Sequence, residues 1–211
     1  MLFPLNLQKT PVTIIFLCVI GLLELLCQTR DNERVRFYNE YLGILPSIWG
    51  WQLWRPFTTT LLHADIVHAL FNMYWLAIFG AAIEHWLGSL KFLAVTIALG
   101  YLSMLSQYVI VNIDPPPTMI VGFSGVNYGY FGLLLVGRRY RTDFAMVCNP
   151  LTVQIMVGWF LLCIVLTWID VWNVANVAHG AGLLFGVLLG NCLFRRPRAL
   201  WITITSVAAA V

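Results

Sequence analysis

Apolar residues fill six long segments of the chain, and short polar or charged stretches separate them. A helix needs about 20 apolar residues to cross the hydrocarbon core of a bilayer. The segments lie at about residues 11–27, 64–83, 90–111, 124–137, 151–169 and 175–194. The pattern therefore predicts an all-α polytopic membrane protein built as a bundle of six transmembrane helices.

The composition favours a membrane protein over a soluble one. Of the 211 residues, 60% are hydrophobic and only 10% are charged, whereas about 25% of a soluble domain is charged. The net charge of +3 is small, so we interpret the basic residues as topology signals and expect no nucleic-acid partner. We expect one membrane domain over residues 1–211, with a helical core at about 11–194 and a basic-then-apolar tail at 195–211.

The basic residues indicate which helix ends face the cytoplasm, because Lys and Arg collect in cytoplasmic loops. With six spans, one side of the membrane holds Lys9, Lys91, Arg138, Arg139, Arg141, Arg195, Arg196 and Arg198. The other side holds Arg30, Arg34, Arg36 and Arg55, all in one long mixed-charge loop, which weighs little in this rule. We therefore expect both termini in the cytoplasm. The expected location is the inner membrane of a bacterial cell.

In this orientation, the unusual polar residues of three helices share the outer half of the membrane. They are His63, His68 and Asn72 on the second helix, Ser124 at the start of the fourth, and Asn176 and His179 in the first turns of the sixth. The fourth segment, residues 124–137, covers only roughly 21 Å as a helix, so Ser124 should lie below the outer surface. The preceding loop, residues 112–123, would then dip into the membrane, where protein or a water cavity must surround it.

Glycines at helical spacing predict that the fourth and sixth helices pack closely together. The fourth segment carries Gly125, Gly129 and Gly132, and the sixth carries Gly182, Gly186 and Gly190. Small residues at such spacing let two helix backbones approach each other in a membrane. This approach would bring His179 to Ser124, and a serine next to a histidine is typical of nucleophilic hydrolysis.

Each of these polar residues also has a simpler interpretation. Ser124 could cap a helix, and His179 could make an interhelical hydrogen bond or bind haem. His68 and Asn72 could connect helices, or they could donate hydrogen bonds to an oxyanion. His63 could be solvated near the interface, or it could support the site directly.

Taken together, the residues resemble the rhomboid family of intramembrane serine proteases. The resemblance covers about residues 11–194 and rests on four motifs in order: Trp54-Arg55, His63-x4-His68-x3-Asn72, Gly122-Phe-Ser-Gly125 with Tyr128, and Ala178-His179-x2-Gly182. It implies a six-helix bundle with a membrane-embedded first outer loop. Val174 and Val177 depart from the small residues that some relatives carry, and this departure affects local packing only.

The resemblance also implies roles for the residues that match these motifs. Ser124 corresponds to the nucleophile and His179 to the general base. His68, Asn72 and the Ser124 backbone N–H correspond to the oxyanion donors.

Supporting roles follow from the same resemblance. Gly122 shapes the turn at the serine, and Tyr128 stacks on the catalytic histidine. Gly125 and His63 are further supporting residues. Arg55 corresponds to a structural residue of the outer loop, and Phe71 to an aromatic position implicated in substrate access. We assign neither Glu24 nor Asp170 to catalysis.

The implied function is hydrolysis of transmembrane segments of other membrane proteins near the outer face. The chemistry requires no cofactor and no metal, and the five cysteines show no Cys-x2-Cys spacing that would predict zinc. The lipid bilayer and the protein substrates are the expected partners.

Two other functions remain open. A catalytically inactive rhomboid-like protein would bind membrane clients without cleaving them, although such relatives generally lack the serine or the histidine. A haem protein or a transporter would use His63, His68 and His179 and would leave the Gly-x-Ser-Gly turn unexplained. A haem absorption band in the purified protein would favour the haem alternative.

Overall fold

A computed structural model of the chain describes residues 6–28, 51–111 and 120–194. The described elements are helices, and each of the six predicted segments contains one of the longer ones. They are α1 (Pro11–Gln28), α2 (Arg55–Thr58), α3 (Ile66–Leu87), α4 (Ser89–Ile110), α5 (Ser124–Gly137), α6 (Thr142–Val147), α7 (Pro150–Trp168) and α8 (Asn176–Phe194), with a short 3-10 turn at Thr59–Leu61.

The lengths of these helices bear on which of them can cross a membrane. The helices α3, α4, α7 and α8 are long and apolar enough to do so, and a shorter apolar helix covers Pro11–Leu26. The helix α5 has 14 residues, as the sequence predicts. These apolar helices make the chain an integral, multi-pass membrane protein.

The prediction that the second helix ends at residue 83 is wrong. The helix α3 passes through a π turn at Leu76–Gly80 and continues to Leu87. Glu84 does not end it, because its buried carboxylate accepts hydrogen bonds from the backbone N–H groups of Val12 (2.9 Å) and Thr13 (2.8 Å). The hydroxyls of Thr13 and Ser89 also donate to this carboxylate, both at 2.7 Å. A buried charge with several donors is satisfied within a helix.

The predicted close approach of the glycine-bearing helices is confirmed. A β-carbon on Gly182 would overlap the carbonyl oxygen of Gly125, and one on Gly186 would overlap that of Gly129. One turn further along, a β-carbon on Gly132 would lie 2.5 Å from the Leu183 carbonyl oxygen. The backbones of α5 and α8 are therefore in direct contact, which only glycine at these positions allows.

The helix α7 lies at the periphery of the bundle. Of its 19 residues, only Met156 and Cys163 are buried. Its ring contact with α3 joins Trp159 to Phe71, with centroids 4.8 Å apart. An apolar helix that is exposed over most of its surface fits a position in contact with lipid.

The break between the fourth and fifth segments contains a helix that the sequence analysis did not predict. This helix, α6, follows Arg141, whose guanidinium binds the Asp143 carboxylate through two hydrogen bonds of 3.0 and 2.6 Å. The same guanidinium lies over the rings of Trp86 (5.7 Å) and Phe144 (5.3 Å). These contacts attach α6 to the end of α3.

Three predicted features lie outside the described residues. They are most of the first outer loop (29–50), most of the loop before Ser124 (112–119) and the tail (195–211). The described end of the outer loop includes Arg55, which is 4% exposed and donates to the side chain of Gln52. Nearby, the Thr59 hydroxyl donates to the Ile120 carbonyl at 2.5 Å, and the Gly122 N–H donates to the Thr59 carbonyl at 3.4 Å.

Candidate active site

Ser124 and His179 meet across the contact between α5 and α8. The Ser124 Oγ lies 2.7 Å from the His179 Nε2, which is hydrogen-bonding distance. His179 is 4% exposed, and Ser124 is half-buried. The capping interpretation of Ser124 is wrong, because the cap position of α5 is Phe123 and no side-chain cap bond forms. The serine hydroxyl contacts the histidine instead.

The His179 ring is held by an aromatic contact rather than by a carboxylate. The ring centroids of Tyr128 and His179 are 4.8 Å apart, as predicted. The Tyr128 hydroxyl donates to the Met156 carbonyl at 3.0 Å. The His179 Nδ1 is buried and has no hydrogen-bond partner among the described residues. Asp170 is exposed at the end of α7, and no described carboxylate bonds to Nδ1, so neither Asp170 nor Glu24 orients this ring through a hydrogen bond.

Gly122 places the His68 ring beside the serine. Its φ of +118° lies in a region that side chains other than glycine rarely adopt. A β-carbon there would lie 2.8 Å from His68 Cε1, 2.9 Å from His68 Nε2 and 3.7 Å from Ser124 Oγ. The His68 ring edge and the Ser124 hydroxyl therefore occupy the same side of Gly122.

His63 supports the segment that leads into α5. It is 1% exposed, so the solvated interpretation is wrong. Its Nε2 accepts a hydrogen bond from the Phe123 N–H at 3.3 Å, and its ring lies edge-on to that of His68, with centroids 5.0 Å apart. His63 thus connects the backbone just before Ser124 to His68 on α3.

Asn72 lies on the same helix as His68, one turn further along. Its Nδ2 donates to the His68 carbonyl at 3.0 Å, and its Oδ1 accepts from Asn127 Nδ2 at 3.1 Å. Asn127 was not identified from the sequence alone. A polar residue one turn after Ser124 in an otherwise apolar helix was the signal that could have identified it.

Two polar residues fix the start of α8: Gln107, which was not identified from the sequence, and Asn176, which was. Gln107 on α4 accepts a hydrogen bond from the Ala178 N–H at 2.9 Å. Asn176 donates to the Thr167 hydroxyl at 2.8 Å. The first turn of α8, which carries His179, is therefore bonded both to α4 through Gln107 and to α7 through Thr167.

The Nε2 atoms of His179 and His63 make contacts within the protein that weigh against haem ligation by these two atoms. The His179 Nε2 faces Ser124, and the His63 Nε2 accepts from a backbone N–H. Within the ranges that the structure describes, His, Cys, Asp and Glu form no group of three that could hold a metal ion.

The chain is similar to members of a known protein family. Residues 50–196 match the model of the rhomboid domain family. The chain is 29% identical over 168 residues to the putative rhomboid protease YdcA of Bacillus subtilis (strain 168), which covers 79% of this chain and 78% of that protein. It is 34% identical over 142 residues to the rhomboid protease GlpG of Salmonella paratyphi A (strain ATCC 9150 / SARB42), covering 65% of this chain and 48% of that protein.

The fold is that of an integral membrane protein of several helices. Its candidate site is a serine on one helix in contact with a histidine on another. The family match covers well over half of the chain. The chain belongs to the rhomboid family, and its curated relatives are named as rhomboid proteases.

Proposed function

We propose that this protein is an intramembrane serine endopeptidase that cleaves transmembrane segments of other membrane proteins. The observation that carries the proposal is the 2.7 Å contact between Ser124 Oγ and His179 Nε2. A nucleophile and its base must lie within hydrogen-bonding reach of each other. Ser124 is only half-buried, which is compatible with the approach of a peptide carbonyl.

The reaction proceeds in two steps. His179 Nε2 takes the hydroxyl proton as Ser124 Oγ attacks the peptide carbonyl, and the same proton then passes to the leaving amine. Water attacks the resulting ester, again with His179 as the base, which releases the new carboxylate and restores the hydroxyl. The contact with Tyr128 holds the imidazole in place through both steps.

We assign three donors to the oxyanion, namely His68, Asn72 and the Ser124 backbone N–H. His68 Nδ1 accepts from the Ala64 N–H at 3.4 Å, so the neutral ring carries its proton on Nε2, the atom next to Gly122. Asn72 Nδ2 uses one of its two N–H groups on the His68 carbonyl and keeps the other. The Ser124 backbone N–H at the start of α5 is the third donor.

The substrate class follows from the depth of the site. Ser124 opens a helix of 14 residues, which is about 21 Å long and shorter than a bilayer core. The scissile bond would therefore lie in the outer part of the membrane, where the substrate helix must unwind to expose a carbonyl. We place six helices across a bacterial inner membrane with both termini in the cytoplasm, and reporter fusions at each end test this orientation.

The decisive experiment uses purified protein in liposomes with a fluorescent transmembrane substrate. We expect Ser124→Ala and His179→Ala each to abolish cleavage, while His85→Ala, a histidine exposed at the far end of α3, cleaves at the wild-type rate. A fluorophosphonate probe should label the wild type and not Ser124→Ala. Cleavage by either site variant at the wild-type rate refutes the proposed roles. A folded wild type that binds a membrane client but never cleaves would favour the inactive client-binding alternative.

A further inference from the structure

Asn127 connects the serine-bearing helix to Asn72. It lies on α5, three positions after Ser124, and is 2% exposed. Its Nδ2 donates to the Asn72 backbone carbonyl at 3.0 Å and to the Asn72 Oδ1 at 3.1 Å. A single buried amide therefore contacts both the main chain and the side chain of the same residue.

These contacts determine which way each amide points. The Asn72 carbonyl can only accept a hydrogen bond, so the atom of Asn127 that faces it must be the donor Nδ2. Because Nδ2 of Asn127 also faces the Asn72 side chain, that side chain must present its Oδ1 there. A reversed Asn72 amide would bring two NH₂ groups together and would place Oδ1 against the His68 carbonyl.

The consequence concerns the remaining N–H of Asn72. With Oδ1 held by Asn127 and one N–H donated to the His68 carbonyl at 3.0 Å, the second N–H has a fixed direction. An oxyanion is stabilised best by donors that are already oriented before the charge develops.

We propose that Asn127 is a positioning residue, which sets the orientation of the Asn72 amide and thereby its capacity to donate to the oxyanion. The inference rests on the proposed function, because it assigns Asn72 to the oxyanion site. Asn127 itself does not contact the reacting atoms. It acts through Asn72 alone, and this property makes the proposal testable.

A purely structural role is the competing explanation. The Asn72 carbonyl also accepts from the Leu76 N–H where α3 passes into its π turn, so Asn127 could simply attach α5 to α3. In that case its loss would lower stability and would leave the catalytic rate of the folded enzyme unchanged. Both roles predict a lower unfolding temperature for variants of Asn127, but only the positioning role predicts a lower kcat.

The test is a double-mutant cycle on Asn127→Val and Asn72→Ala, measured as kcat and KM for a transmembrane substrate in liposomes. We expect Asn127→Val to lower kcat about three- to tenfold, the effect of losing the hydrogen bond to Asn72 Oδ1, with KM little changed. Asn72→Ala should lower kcat about 10²-fold or more. The double variant should match Asn72→Ala, because the proposed effect of Asn127 passes through Asn72.

A matched control removes a buried hydrogen bond elsewhere on α5. The Tyr130 hydroxyl is bonded to the Thr96 hydroxyl at 2.5 Å, and both side chains are fully buried. Tyr130→Phe should lower the unfolding temperature to an extent similar to Asn127→Val and leave kcat unchanged. Asn127→Asp has the shape of asparagine and at most one donor, so it serves if the valine variant does not fold; its kcat should also fall.

Each remaining outcome contradicts the inference in a recognisable way. If the wild type cleaves and Asn72→Ala is slow, but Asn127→Val and Asn127→Asp keep the wild-type kcat, then Asn127 is only structural. Independent, multiplicative losses in the double variant show that Asn127 does not act through Asn72. If the folded wild type neither cleaves nor reacts with a fluorophosphonate, the proposed function itself fails, and this inference fails with it.

Discussion

The α-carbon of Gly182 lies against the carbonyl oxygen of Gly125, so that no β-carbon fits between them. Gly125 follows Ser124 directly, and Gly182 lies three positions after His179 on the facing helix. The contact between these two glycines therefore sets the distance between the serine and the histidine. Backbone contact of this kind is available only where both residues lack side chains.

Gly182→Ala should separate α5 from α8. The added methyl group meets backbone, which cannot move aside as a flexible side chain can, and overpacking of this kind costs about 1–3 kcal/mol or more. We expect a lower unfolding temperature together with loss of cleavage, measured in detergent and in liposomes. Gly158→Ala on α7, where a β-carbon meets nothing within 4 Å, is the matched control and should be neutral or slightly stabilising. Equal behaviour of the two variants would contradict the proposed contact.

Gly122→Ala should impair activity more than stability. Alanine at this positive φ is strained, and its methyl group would lie 2.8 Å from His68 Cε1, so the ring must move away from the site. Gly88 has a φ of +77° and open space around its α-carbon. Gly88→Ala therefore carries the backbone strain without the displacement, and we expect it to retain kcat. Comparable kcat values for both variants would show that the position of His68 is not important.

Tyr128 has two separable contacts, one with the His179 ring at 4.8 Å and one with the Met156 carbonyl at 3.0 Å. Tyr128→Phe removes only the hydrogen bond and should cost about 0.5–1.5 kcal/mol of stability with kcat near that of the wild type. Tyr128→Ala also removes the ring contact, and we expect a large loss of kcat because the histidine can then rotate. A phenylalanine variant as inactive as the alanine variant would assign the role to the hydroxyl instead.

Glu84 should matter for stability and not for chemistry. Its carboxylate accepts from two backbone N–H groups at the start of α1 and from two hydroxyls, and it lies about 24 Å along α3 from His68. Glu84→Ala leaves these buried donors without a partner, which costs roughly 1–3 kcal/mol. Thermal unfolding should show this loss, while kcat per folded molecule stays unchanged. A fall in kcat without a change in unfolding temperature would refute this assignment.

The sequence predicted the structure best where a short stretch of residues was enough to determine where a helix begins and ends. The start of α5 at Ser124 and its end at Gly137 follow from a glycine-rich apolar segment between a proline-rich loop and two arginines. The end of α3 was predicted too early, because a charged residue such as Glu84 in an apolar sequence is typical of the end of a transmembrane helix. Only its partners on α1 and α4 explain why a charge is tolerated there.

The sequence alone predicted the membrane class and the approximate bounds of the helices, because hydropathy can be calculated along the chain. It also predicted the contact of Ser124 with His179, because the spacing of glycines indicates which helices can pack closely. The tertiary structure alone decided that Asn127 contacts Asn72 and that Gln107 holds the turn before His179, contacts that join residues 55 and 71 positions apart. Helices such as α4, α5 and α8 are apolar on nearly every side, since lipid and protein core attract the same side chains. Their rotation about their own axes, and hence the partner of each polar residue, is set by packing against neighbours and not by hydropathy.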